Sequence, residues 1–156
     1  MHILRVVILL AAGATVACRA NVAGNPAPAP AGDVAFLHPF GAPTRPFSPA
    51  VRVGNLLLLA GQVGTDASAA GGVVPGGIEA ETRQAMNNIK RTLEAVGSSM
   101  DRVVKCTVFM ADMSEWGAMN EVYITFFPQR PPARSAAGAN GLALGARVEI
   151  ECIAAE

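Results

Sequence analysis

From residue 51 to residue 154 the apolar positions switch between a two-residue and a 3.6-residue rhythm, and each switch marks a new element. Val51 to Val53 and Leu56 to Ala60 flank Gly54 and Asn55, a dipeptide that tolerates positive φ and predicts a tight hairpin. The four-leucine run has no polar alternation, which predicts a strand covered on both faces. Val63 to Gly77 is rich in Gly, Ala, Ser and Asp and reads as a loop, with at most a short strand at Val73 and Val74. Ile78, Ala85, Met86, Ile89, Leu93 and Val96 then have the spacing of an amphipathic helix, which Gly97 stops, with Glu81, Arg83, Lys90 and Glu94 on the outer face.

Val103 to Met110 predicts a strand. Asp112, followed three residues later by Glu115, resembles a capping box and opens a second helix that Pro128 ends. Trp116, Met119, Tyr123 and one of Phe126 and Phe127 form the buried side of that helix. Two further strands, Arg134 to Ala139 and Ala146 to Ala154, flank a Gly- and Ala-rich connection. This order implies an α+β fold, a mixed β-sheet with two helices packed on one face.

Length and composition narrow this to one domain. The chain has 156 residues, 51% of them hydrophobic, enough for a single core. The formal net charge is zero, and setting aside Arg5 and Arg19 leaves 10 basic against 12 acidic residues. No basic stripe exists to neutralise phosphates, so nucleic acid is not an expected partner.

Residues 1–20 read as an export signal: a short n-region to Arg5, apolar residues from Val6 to Ala12, and small residues up to Ala17. Thr15, Val16, Ala17 and Cys18 resemble a lipobox, making Cys18 the candidate lipidation site and the membrane surface a candidate anchor point. Cleavage after Ala17 or Ala20 is the alternative. The expected location is the periplasm or cell envelope, or the cytoplasm if translation starts further downstream. Residues 21–33 alternate Pro and Ala, a semi-extended linker, leaving residues 34–156 as the domain. Cys106 and Cys152 sit on the buried parity of their strands and read as free thiols; an oxidising compartment would permit a disulfide.

Candidate chemistry concentrates in the last quarter, where Pro132, Ala133, Arg134 and Ser135 precede the strand Arg147-Val-Glu149-Ile-Glu151-Cys-Ile153. An arginine and a glutamate are thereby placed on two strands of one sheet. Arginine's planar fork matches a carboxylate bidentately, and a glutamate can steer a water. Glu151 shares the strand face of Glu149 and is the alternative for that role. With only His2 and His38, histidine-based zinc sites and Ser-His-Asp triads lack their parts, and there is no P-loop, pyridoxal or nicotinamide motif.

The string PPARS with VEIECIA, the Gly54-Asn55 hairpin ending in Gly61-Gln62, and ETRQAMNNIKRTLEAVGSSMDRVVKCTVFMADM together resemble the Rid family (RidA/YjgF type) of enamine/imine deaminases over roughly residues 45 to 156. The resemblance implies a chorismate-mutase-like fold and a homotrimer with clefts between subunits. It also implies a site in which Arg134 clamps a substrate carboxylate and Glu149 positions water, with Gly61, Asn120 and the position of Ala136 in contact with substrate. No cofactor is implied. The expected reaction is hydrolysis of a 2-imino or enamino acid to a 2-keto acid and ammonia. Phe47, Ala60 and Ala136 stand where such proteins carry tyrosine, serine and cysteine, which thins the polar support of the clamp. The alternative is therefore a non-catalytic trimer that binds a small carboxylate in the same cleft. Ribonuclease activity, attributed to some family members, fits poorly with near-neutral charge and a candidate site without histidine.

Overall fold

The computed structural model describes residues 33–42, 44–66 and 72–156. The export segment with Cys18, and all of the linker except Asp33, lie outside the described residues. Seven strands form one mixed sheet: β1 (Val34–Leu37), β2 (Ala50–Val53), β3 (Leu56–Leu59), β4 (Gln62–Val63), β5 (Val103–Met110), β6 (Ala133–Gly138) and β7 (Val148–Ala155). Their order is β1-β2-β3-β7-β5-β6, with β4 also paired to β7. Only β5 and β6 run parallel; every other pairing is antiparallel.

Helices α1 (Gly77–Ala95) and α2 (Trp116–Ile124) cover one face of this sheet. Ala85, Met86, Ile89 and Leu93 of α1 are fully buried against Cys106, Val108, Met110, Val148 and Ile150. Helix α1 ends as expected: Gly97 has φ 84°, its N–H donates to the Glu94 carbonyl, and the Ser98 N–H donates to that of Leu93. These bonds satisfy carbonyls that a helix end leaves open, and only glycine adopts that φ without strain.

Several expectations are corrected. Strand β1 was not anticipated; it pairs with β2 through Val34↔Val53 to Leu37↔Ala50. The leucine run is covered on one face only: Leu57 and Leu59 are buried, Leu56 and Leu58 exposed, because both helices lie on one side. The 63–77 segment begins as strand β4 and is closed by an isolated bridge between Thr65 and Val73. Glu81, assigned to the outer face of α1, is buried, and its Oε2 accepts the backbone N–H of Arg147 at 2.8 Å. Helix α2 stops at Ile124, short of Pro128, and it is Phe127 in the following turn that reaches the core beside Met119 and Tyr123, while Trp116 stays 41% exposed. The Asp112 carboxylate accepts the Ser114 N–H at 2.8 Å, but Glu115 turns to Arg147 instead of completing a capping box.

Cys106 and Cys152 are not free thiols. They stand opposite each other in the β5–β7 register and form a disulfide. Closing a loop with a sequence separation of 46 restricts the unfolded chain, a gain of about 2–4 kcal/mol. The Cys106→Ala/Cys152→Ala variant, or the reduced protein, is expected to melt several degrees lower than the oxidised protein. An unchanged midpoint in reducing scanning calorimetry would remove this contribution.

Candidate active site

Strand β6 holds Arg134 opposite Cys106 of β5, so its side chain shares the helix-covered face. Trp116, Asn120 and Tyr123 follow at i, i+4 and i+7 on α2 and present one helix stripe to that face. The Arg134 Cζ lies 4.7 Å from the Tyr123 ring centroid and 5.5 Å from that of Trp116. Cation–π contacts of this kind position a guanidinium without occupying its N–H donors. Among the described residues no carboxylate pairs with Arg134. The contrast with other arginines is informative, since Arg52 pairs with Glu156, and Glu115 grips Arg147 through Nε and Nη2. That grip, largely the Glu115 hydrogen bonds, raises the Arg147 pKa. Asn120 and Ala136 are half-buried on this side, and Ala136 packs against the core and offers no polar side-chain atom.

Tyr123 is buried, and its hydroxyl has no hydrogen-bond partner. Burial pushes its pKa up to about 12, against an opposing pull from the Arg134 charge. The chain has one tyrosine, so absorbance at 295 nm reports this phenol alone. Titration is expected near 12 in the native protein and higher still in Arg134→Ala. Because the folded pKa exceeds the unfolded value near 10, this group's stabilisation is complete below pH 10 and is lost as pH rises through 12. A midpoint near 10 in the folded protein would contradict the burial.

Glu149 belongs to the other face. It pairs with Phe109 of β5, the parity opposite to Val108 and Ile150, which are buried under the helices. Its carboxylate lies directly over Gly61, where any Cβ would collide with Oε1. Glu151 is exposed while Glu149 is half-buried beside Gly61, so Glu149 is the better-placed of the two. The segment bearing Gly61 is pinned on both sides: the Ala60 N–H donates to the Pro49 carbonyl at 3.0 Å, and buried Asn88 of α1 donates to the carbonyls of Val63 and Thr65 at 3.2 and 2.9 Å. Asn88 was not among the candidates; its signal was a polar residue on the buried stripe of a helix.

The candidates thus fall into two groups: Arg134, Asn120 and Ala136 on the helix-covered face, and Gly61 with Glu149 on the open one. Across β5 they are offset by two strands and three residues, about 14 Å by ordinary sheet spacings. One chain cannot bring them to a single small substrate. Among the described residues there is no cluster of three or more His, Cys, Asp or Glu side chains that could hold a metal ion.

A family model described as Endoribonuclease L-PSP matches residues 39–156. The chain belongs to this family. It is 45% identical over 111 residues to the 2-iminobutanoate/2-iminopropanoate deaminase of Mus musculus, covering 71% of this chain and 82% of the mouse protein. It is 41% identical over 122 residues to a RutC family protein of Pyrococcus horikoshii, covering 78% and 96%. Among solved structures, RidA from an Antarctic Psychrobacter superposes with a TM-score of 0.68 at 36% identity, covering 74% of this chain and 92% of that one. Rid/YjgF membership thus bears out the expected fold: a mixed sheet with two helices.

Proposed function

We propose that the protein is a cofactor-free imine deaminase whose site is assembled between copies of the chain. The observation that carries this reading is Arg134: a half-buried guanidinium set on two aromatic rings, with no carboxylate on its donors among the described residues. The mouse relative's name supports the reaction class. A 2-imino acid binds with its carboxylate on Arg134. Water attacks C2 as Glu149 accepts one of its protons and returns it to the imine nitrogen, giving a carbinolamine; the remaining hydroxyl proton then passes to nitrogen as the C=O bond forms and the C–N bond breaks, and ammonia leaves a 2-keto acid. Fixing the carboxylate and the water would supply most of the acceleration.

Association of unlike faces supports the shared site. The face bearing Glu149 also exposes Phe36 (67%), Leu56 and Leu58 (41%), an apolar patch on the side without helices. Covering it with a neighbour removes apolar surface from water and can bring a neighbour's Arg134 to Glu149. A head-to-tail interface of this kind closes as a ring, and the trimer is the closure that family membership favours. A second reading, carboxylate binding without turnover, is favoured by Phe47, Ala60 and Ala136, none of which carries a polar side-chain atom. Ribonuclease chemistry has less support, since none of the candidates Arg134, Glu149, Gly61, Asn120 and Ala136 is a histidine and the formal net charge is zero.

The disulfide and the N-terminal export signature support placement in an oxidising compartment; lipidation at Cys18 would show as a mass increase on that residue. The enzymatic test is ammonia and keto-acid release from imines generated in situ by an amino acid oxidase. Acceleration over the oxidase alone supports the deaminase. Keto-acid binding, seen as a change in the fluorescence of Trp116, the only tryptophan, without acceleration selects the second reading.

A further inference from the structure

The segment between β1 and β2 folds against the C-terminal half of α1 and leaves a pocket of about 360 Å³, lined among others by His38, Phe40, Arg45, Phe47, Gln62 and Arg91. Phe47, at the position of the family's site tyrosine, is shared with the neighbourhood of the candidate cleft, but the pocket's cations are its own: neither Arg134 nor Glu149 of the same chain lines it, and among the described residues no aspartate or glutamate does. Arg91 lies over the Phe40 ring at 5.1 Å and Arg45 over Phe47 at 5.9 Å. Among the described residues neither arginine has an ion-pair partner. Two cations converging on one pocket repel each other, and an anion between them converts that repulsion into attraction.

The rest of the lining has a matching character. Phe40 and Phe47 are 54% and 47% exposed beside the cations, so apolar surface is presented along with charge. His38 Nδ1 is buried without a hydrogen-bond partner, while its Nε2 lies 3.4 Å from the Ser48 hydroxyl. Concave sites with apolar walls and a few convergent polar groups are the usual form of small-molecule sites. We infer that this pocket binds a small organic anion, a carboxylate or phosphate carried on an apolar body, separately from the Arg134 clamp. Its two arginines supply charge-assisted hydrogen bonds and its two phenylalanines the apolar contact.

The experiment is calorimetric titration of the full-length chain with benzoate, phenyl phosphate and inorganic phosphate. It is performed in an Arg134→Ala background, which removes the other candidate anion site. The inference expects benzoate or phenyl phosphate to bind, inorganic phosphate to bind at least about tenfold more weakly, and Arg45→Ala/Arg91→Ala to weaken the organic probe by about a hundredfold. Both arginines are exposed, so the added substitutions should leave the melting midpoint in place. The inference is overturned if no organic probe binds, if the arginine pair can be removed without effect, or if inorganic phosphate binds equally well. Its fate is independent of imine hydrolysis, which is read in a separate assay on unsubstituted protein.

Discussion

Arg134→Ala is expected to lower kcat/KM for imine hydrolysis by about 10²- to 10³-fold, the equivalent of the roughly 3–4 kcal/mol lost when one partner of a hydrogen-bonded charge pair is truncated. The aromatic seat explains why the loss should be large. Trp116 and Tyr123 hold the guanidinium by its face, which leaves its edge donors for a bidentate carboxylate. Arg134→Lys keeps the charge but not the fork, and is expected to recover only a small part of the activity. The fold should survive, because Arg134 makes no ion pair among the described residues. Steady-state kinetics on imines of several amino acids, with keto-acid inhibition as an independent measure of carboxylate binding, provide the check. An Arg134→Ala enzyme with unaltered kcat/KM would end the clamp assignment.

Glu149→Gln is the second large effect, about 10²- to 10⁴-fold in kcat, the range for loss of a positioned proton acceptor. Gly61→Ala should approach the same loss by another route. Gly61 does not adopt a left-handed φ, so alanine adds a methyl without backbone strain, and that methyl occupies the space of the Glu149 carboxylate. The two substitutions therefore act on one group, and the double variant is expected to be no slower than Glu149→Gln alone. Multiplying losses would show that Gly61 acts separately from Glu149.

The fold was legible where one element's own periodicity decides its state. The spacing of Ala85, Met86, Ile89 and Leu93 and the stop at Gly97 define α1 within a residue at each end, and Val103–Met110 was read as it stands. Features that depend on register were not legible. The pairing of Cys106 with Cys152 requires knowing that β5 and β7 are neighbours with those residues opposite. Glu81 lies outside the apolar stripe by sequence, yet the Arg147 N–H satisfies it in the interior. Strand β1 escaped because Val34 and Phe36 point to the face that a single chain leaves open and only Leu37 packs against the core, too few positions to set a pattern.

The candidate site shows the same division. Arg134 and Glu149 were identifiable as chemical types, and Trp116 and Tyr123 were read on the buried side of the second helix, but not as the seat of Arg134. Their placement on opposite faces follows only from the register of β6 and β7 through β5. On the proposed reading, that placement makes each residue one half of a site shared between copies.

The most direct measurement is complementation between the two inactive variants. Arg134→Ala and Glu149→Gln chains, mixed in equal amounts under denaturing conditions and refolded together, should form rings in which some clefts receive intact Arg134 from one copy and intact Glu149 from its neighbour. Random mixing in a closed head-to-tail ring predicts recovery of about a quarter of unsubstituted activity. Activity that stays at the level of the separately refolded variants would contradict a deaminase site shared between copies.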